Sequence, residues 1–557
     1  MGGKPSQISI HTSEKSADFI NSTKKETDIT SYNESIISES EEAEESANNP
    51  FLNEKFKEKY IRLYEDTRYE CRSSLDANFK WTKQEQRRIT WKLDLTVTLM
   101  ACFFFVSLNM DRGNLAQAVS DNMLKDLKMT TNNYNTGNTI FYVCFLAAEL
   151  PSQLISKRLG ADVWIPIQMI LWSIVTICQF KLGGRHSFYA CRALLGLCEG
   201  GFIPDLILWL SYFYTSAELS IRLSFFWTAM YFTKIINYLI AYGILHMRGV
   251  RGHAGWQWLF LIEGLLTLVV GISAFFLMVP SPVQTKKPWN PKGWFTEREE
   301  KIVVNKVLRD DPTKGDMHNR QGLNLKMLVE AISDWHLWPI YFIGLIAYIP
   351  ENTIESYMTL LLRDMGFSTF HTNLLCIPYN FLRIIMLLLT TWLSERVTNI
   401  FGTALIQPLW TSVCIGVLRF WSGNFYEKWQ TYALLTVFLS VPYIHAMMVS
   451  ATSRNSKSIK TRTVGSSLYN MFVQTGSIIS SNIYRTDDKP LYHKGNSVLF
   501  DFALLMFPTL IATKYFYRRL NSKRDEIWNN MSDQERDEYI ATTTDKYSSR
   551  LDFRYAH

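Results

Sequence analysis

Asp111 and Arg112 stand side by side directly after Leu95–Met110, a run of sixteen residues without a charge. Charged side chains in an apolar stretch of that length are costly in a bilayer. They are kept where they face a water-filled space and bind or move charge. Farther along, Arg192 and Glu199 lie seven positions apart, so on a helix they share one face about 10 Å apart along the axis. A fixed guanidinium can hold a carboxylate or sulfonate through two parallel hydrogen bonds, and a carboxyl in an apolar setting can carry a proton. The chemistry open to such a set is anion binding and proton carriage. The plainer alternative for Asp111, Arg112 and Arg192 is a place near the headgroups, where long side chains reach water. Glu199, two turns farther in among Leu, Gly and Cys, fits that alternative least.

Such residues need spans to position them. Scanning for about 20 mostly apolar residues gives expected helices near 93–119, 134–156, 163–181, 188–214, 222–246 and 256–279, then 336–361, 371–393, 402–420, 429–450, 463–483 and 497–518. The expected fold is an all-α membrane protein of twelve transmembrane helices in two six-helix bundles. The chain then divides into a largely disordered N-terminal tail (1–92), a first bundle (93–279), a central loop (280–335), a second bundle (336–519) and a C-terminal tail (520–557). An even number of spans puts both tails and the central loop on one side. That loop carries Lys286, Lys287, Lys292, Arg298, Lys301, Lys306, Arg309, Lys314, Arg320 and Lys326, so the positive-inside rule makes this side cytosolic. The Asn-x-Ser/Thr sequons at Asn21, Asn33 and Asn530 all fall in the tails, and sugar on any of them would invert the topology.

Composition agrees with this plan. The 557 residues are 47% hydrophobic and 14% aromatic, rich for a soluble chain, and the mean hydropathy of −0.04 averages oily spans with polar ends. The net charge of +7 sits in loops and tails, without the basic stripe that nucleic-acid binding needs. Eight cysteines without a CxxC pair are expected to be reduced thiols acting as small hydrophobes, and neither metal nor cofactor is expected. Membrane enzymes are disfavoured by the lack of a His-Glu-x-x-His motif. Two bundles of six around a midplane site is the plan of a secondary transporter that alternates its access.

Several separated motifs, in order, carry a resemblance: MDRGNLAQAVSDNMLKDLKMTTNNYNTGNTIFYVCFLAAELPSQLISKRLG, RALLGLCEGGFIPDLILWLSYFY, GWQWLFLIEGLLTLVVGISAFFLMVPSPV and KGWFTEREEKIVVNKVLRDDPTKGDMHNRQ. From about Lys92 to Arg519 the chain resembles the anion:cation symporters of the major facilitator superfamily, in particular the fungal allantoate permease branch with its vitamin H and sulfonate transporters. The resemblance implies the major facilitator fold and uptake of a small organic anion with protons across a fungal plasma membrane. It implies Asp111 and Glu199 as proton carriers, and Arg112 and Arg192 as anion-binding or partner residues. The expected partners are the anion, protons and the bilayer, with kinases and ubiquitin machinery on the N-terminal tail; no nucleic acid is expected, and the working unit is expected to be a monomer.

Other polar residues within spans have two readings each. Glu149 in AAELPSQ matches a Glu-x-Pro-Ser element common in the family, for transport or for structural pairing. Asp205 stands where the family has a small residue, and either tunes substrate choice or reaches the cytosolic side. Lys234, in the middle of the fifth span, offers a second positive group for the anion or belongs to a structural ion pair. Glu351 and Glu355, one turn apart after Pro350, read as a gate or a solvated helix end. Arg383 and His445 lie inside the second half, His445 as a titrating group or a satisfied core histidine. Tyr231, Tyr348 and Tyr379 are weaker candidates for lining the cavity. In the loop QLISKRLGAD, the wider superfamily usually has an acid where Lys157 stands and a glycine where Gln153 stands, whereas Glu395 and Arg396 keep an acid–base pair in the second half. The competing functions are a drug or metabolite exporter, disfavoured by the lack of Gly-Pro in the fifth span, and a nutrient sensor that signals through its tails.

Overall fold

A computed structural model describes residues 49–556 except 53, 67, 317–328, 330–331, 398, 421–427, 457–458, 490–491, 543–547 and 549. Among the described residues the regular structure is helical. The chain separates into two compact units, one from Met1–Lys83 with Phe295–His318 and the other from Gln84–Trp294 with Asn319–His557.

The smaller unit departs from the expected tail. It holds α1 (Glu54–Asp66) and a helix from the central loop, Glu297–Asp310. That loop helix begins where Thr296 and Glu299 cap each other's backbone amides, and it buries Ile302, Val303, Val304, Val307 and Leu308. Asn305 donates to the Ser74 carbonyl at 2.9 Å and accepts from the Asp76 amide at 2.9 Å, and Tyr64 donates to the Pro312 carbonyl at 2.7 Å. These two-way amide contacts fasten the loop helix to the segment that precedes the spans.

In the larger unit the first half comprises α2 (Lys83–Leu93), α3 (Leu99–Ser120), α4 (Thr131–Leu159), α5 (Ala161–Cys178), α6 (Arg185–Glu199), α7 (Phe202–Ser211), α8 (Ser216–Ile244) and α9 (Gly255–Leu277). With the loop helix as α10, the second half comprises α11 (Trp338–Ala347), α12 (Ile349–Asp364), α13 (Thr369–Leu375), α14 (Ile377–Val397), α15 (Ile400–Ala404), α16 (Ile406–Phe420), α17 (Lys428–Leu439), α18 (His445–Asn455), α19 (Ile459–Ser480) and α20 (His493–Asn530). Among the described residues eight helical segments are long and apolar enough to cross a membrane. The other four expected spans are helical too, and either carry charge, as α8 does with Lys234, or are interrupted, as α11 and α12 are at Tyr348.

Two interruptions matter most. The fourth expected span breaks after Glu199, where Gly201 takes a left-handed φ of +83° and a Cβ would meet the Ser152 side chain at 2.5 Å. The seventh breaks at Tyr348, ahead of Pro350, whose ring nitrogen cannot donate to the helical ladder. The last helix runs on to Asn530, past the expected end of its span. Beyond it the chain returns to the bundle. Asn521 and Asn455 each trade a pair of hydrogen bonds with the backbone of Tyr555 and Ala556 at 2.8–3.2 Å.

One apolar core spans both halves, with Leu115, Ala118, Tyr134 and Phe260 packed among Tyr357, Leu362, Tyr379 and Leu499. Around it hydrogen bonds cross from half to half at the C-terminal end of α3 and the N-terminal end of α4. Thr359 donates to the Ala116 carbonyl at 2.7 Å, Asn373 to the Ser120 hydroxyl at 3.2 Å, and Asn135 to the Tyr484 carbonyl at 2.7 Å.

Candidate functional site

The broken fourth span sets the first charge cluster. Glu199 ends α6 and is buried, and a carboxylate at a helix C-terminus gains nothing from the helix dipole. It is held instead from α3, where Arg112 Nε donates to Glu199 Oε2 at 2.7 Å. The Arg112 guanidinium lies over the Phe145 ring at 4.9 Å, its side chain is 25% exposed, and its Nη2 makes no hydrogen bond. Arg192, on the same face of α6, donates through Nη2 to Asn138 Oδ1 at 3.1 Å and stacks over Phe141 at 4.3 Å; its Nε makes no hydrogen bond. Arg112 thus holds the carboxylate, Arg192 lies within electrostatic reach of it, and both guanidiniums keep unused donors.

Asp111 turns elsewhere. It is buried toward α5 and α9, with Trp172, Thr176 and Thr267 as polar neighbours, and neither of its oxygens makes a hydrogen bond. Adjacent residues on a helix point about 100° apart, which explains how Arg112 meets α6 while Asp111 does not.

The second cluster joins the two halves. Lys234 on α8 is ion-paired with Glu355 on α12. Arg383 on α14 donates to Glu355 Oε2 at 3.0 Å and to Glu351 Oε2 at 2.6 Å, and Gln407 donates to Glu351 Oε1 at 2.6 Å. Two cations and two acids balance, and the acids sit in the first turns of α12, where the helix dipole favours negative charge. Tyr231 and Tyr443 flank the Arg383 guanidinium at 5.1 Å each. Tyr142, on α4, lies within electrostatic reach of Arg112, Arg192, Glu199 and Glu355, so both clusters border one region.

The remaining expected residues are spread around this centre. Tyr348 shares a hydrogen bond with Tyr469 at 2.9 Å and Tyr379 one with Tyr238 at 3.2 Å. His445 is buried among the rings of Trp227, Tyr348, Tyr443 and Tyr469, and neither ring nitrogen makes a hydrogen bond. Glu149 is buried within electrostatic reach of Arg112. Asp205, in the first turn of α7, accepts from the Ser152 hydroxyl at 3.4 Å. Arg396 is exposed and lies over the Trp392 ring at 5.7 Å; the Glu395 side chain lies outside the described residues.

Sequence reasoning passed over several participants. Glu263 is fully buried on α9 and is the one Asp, Glu, Lys or Arg between Arg251 and Lys286, a signal that was available. Gln407, Tyr238 and Tyr443 gave none, because their roles depend on partners far away in the chain. Asp94, in a π-turn between α2 and α3, receives both Nε and Nη2 of Arg222 at 2.8 and 2.7 Å, an acid–base pair close to where α8 begins.

A family profile described as Major Facilitator Superfamily matches residues 99–481. An uncharacterized transporter of Saccharomyces cerevisiae is 43% identical over 536 residues, covering 94% of this chain and 96% of that protein. The major facilitator-type transporter hxnP of Emericella nidulans is 26% identical over 450 residues, covering 79% and 84%. Among solved structures, a bacterial homolog of the human lysosomal transporter Spinster, inward-facing and unoccupied, aligns with a TM-score of 0.55 at 12% identity, covering 78% of this chain and 97% of that one.

Proposed function

Because the chain belongs to the Major Facilitator Superfamily of membrane transporters, we propose that it imports a small organic anion, a carboxylate or sulfonate nutrient, together with protons across the plasma membrane. The observation that carries this reading is Arg112, bound through Nε to Glu199 at 2.7 Å while Nη2 stays unused. Protonation of Glu199 removes its claim on the guanidinium, which then takes the incoming anion through its two-pronged edge. Arg192 supplies the second positive charge. After the bundles rock, loss of the proton restores the carboxylate, which competes for Arg112 and expels the anion.

Direction follows from the proposed topology. With tails and central loop cytosolic, the end at Ser120, where hydrogen bonds tie the two halves, is the outer one and is closed in this conformer. Rocking outward must part Thr359 from Ala116 and Asn373 from Ser120.

Uptake of labelled carboxylates and sulfonates into cells expressing the chain tests the reading. We expect accumulation above the external concentration that collapses when a protonophore equalises pH. Efflux of substrate from preloaded cells against its gradient would assign an exporter, and no accumulation of any anion would reject import.

A further inference from the structure

Beside the Arg112–Glu199 pair, on the side of α3 that faces α5 and α9, lies a cluster of buried polar side chains. Asp111 and Glu263 both belong to it, exposed by 1% and 0%, and none of their four carboxyl oxygens makes a hydrogen bond. Around them stand donors that are equally unpartnered and buried: Trp172 Nε1, Asn114 Nδ2 and Thr176 Oγ1. Trp172 and Thr176 neighbour Asp111, and Asn114 neighbours Glu263. The helices close tightly here. A Cβ on Gly264 would meet Ile177 Cγ1 at 2.8 Å, and one on Gly271 would meet Met169 Cβ at 3.0 Å, so α9 lies directly on α5. Ser173 and Thr267 complete the contact with a hydroxyl–hydroxyl bond at 3.0 Å.

Two ionised carboxylates are strongly disfavoured in such a place, since each is a buried charge without a counter-ion and the like charges repel, so the pair holds a proton until a change of access or of neighbouring charge releases it. Glu263 has Asp111 as its charged neighbour, and Asp111 in turn feels Glu199 on α6; α5 presents uncharged Trp172, Ser173 and Thr176. A metal cation suits this cluster poorly, because the indole Nε1–H and an amide NH2 donate hydrogen bonds and offer no lone pair. They suit a carboxylate oxygen whose partner carboxyl holds the proton.

We propose that Asp111 and Glu263 form a two-carboxyl site that holds one proton between α3 and α9, which makes Glu263 a further proton-coupling residue. Binding forms an O–H bond on one carboxyl, which donates to the other; release returns the proton to water. Through the Asp111–Glu199 repulsion, a proton on this pair favours the charged form of Glu199 and its loss disfavours it, so the two sites load in sequence. The inference rests on the proposed function only for the purpose of that proton, and the site itself can be tested without any substrate.

Infrared difference spectra of the purified full-length protein, taken between mildly acidic and mildly alkaline buffer in H2O and D2O, read buried carboxyl protons directly. We expect one deuterium-sensitive carboxyl C=O band that is lost in Asp111→Asn and in Glu263→Gln, and that persists at a shifted frequency in Glu263→Asp, the variant that keeps the acid if Gln is not folded. A band unchanged in Glu263→Gln, or no band in the wild type, overturns the proposal. Loss of the band on adding Na+ at constant pH also overturns it, by assigning the two carboxyls to a metal cation. Absent anion uptake with the band intact rejects the transport reading alone, and uptake without the band rejects this site alone.

Discussion

At the scale of single residues the account depends on which charges have spare capacity. Arg112, Arg192 and Arg383 each keep an unused nitrogen, but Arg383 already holds two acids, Glu351 and Glu355, and Lys234 is paired with Glu355, whereas Arg112 holds one acid and Arg192 donates only to a neutral amide. Replacing Arg112 by Lys keeps the charge but removes the planar fork. We expect uptake to fall by about tenfold or more, roughly 1.4 kcal/mol per decade, with protein abundance unchanged; uptake equal to wild type would show that the fork is not used. Arg383→Leu leaves the buried Glu351 without a cation and Glu355 with Lys234 alone, and is expected to destabilise the fold by about 3–5 kcal/mol, read as a lower melting temperature in detergent. Adding Glu351→Gln should restore part of it, and no recovery would mean that the acids are not what the arginine holds. The positions of these charges were legible as lone polar residues in apolar runs. Their partners were not, since Lys234 and Glu355 are 121 positions apart and in different halves, and the same apolar-run rule, applied to α9, would have marked Glu263.

At the scale of elements, the breaks place the chemistry. Gly201 lets the fourth span stop just after Glu199 and restart as α7, which brings Asp205 to a helix N-terminus beside Ser152. Gly201→Val is expected to cost about 1–2 kcal/mol for the left-handed backbone alone, and more for the clash with Ser152. The check is thermal unfolding in detergent, and a wild-type midpoint would deny the glycine its role. The break at Tyr348 could be read from Pro350; the one at Gly200–Gly201 could not be told from an ordinary small-residue contact, because it depends on where Ser152 lies on α4. The loop helix was legible in hindsight through Thr296 and Glu299 at capping-box spacing. Its apolar face only makes sense with the pre-span segment that covers it, and the basic residues of that loop drew attention to charge instead.

At the scale of the whole molecule, the two halves are tied near Ser120 by hydrogen bonds and, through Lys234 and Glu355, by an ion pair. Alternating access requires these ties to open. A disulfide between Ser120→Cys and Asn373→Cys, whose native side chains meet at 3.2 Å, should lock the Ser120 end and abolish uptake until reduced; full uptake with the bond formed would mean that this end does not open. The six-plus-six plan was legible because hydropathy reports span number, whereas which end is sealed depends on contacts between halves that no local pattern encodes. The central claim is that one arginine is shared between an internal acid and the anion. Its most direct test is transport by the Glu199→Gln variant in proteoliposomes with an imposed inward proton gradient. The account predicts that labelled anion still exchanges across the membrane while uphill, gradient-driven accumulation is lost; accumulation at the wild-type level would contradict it.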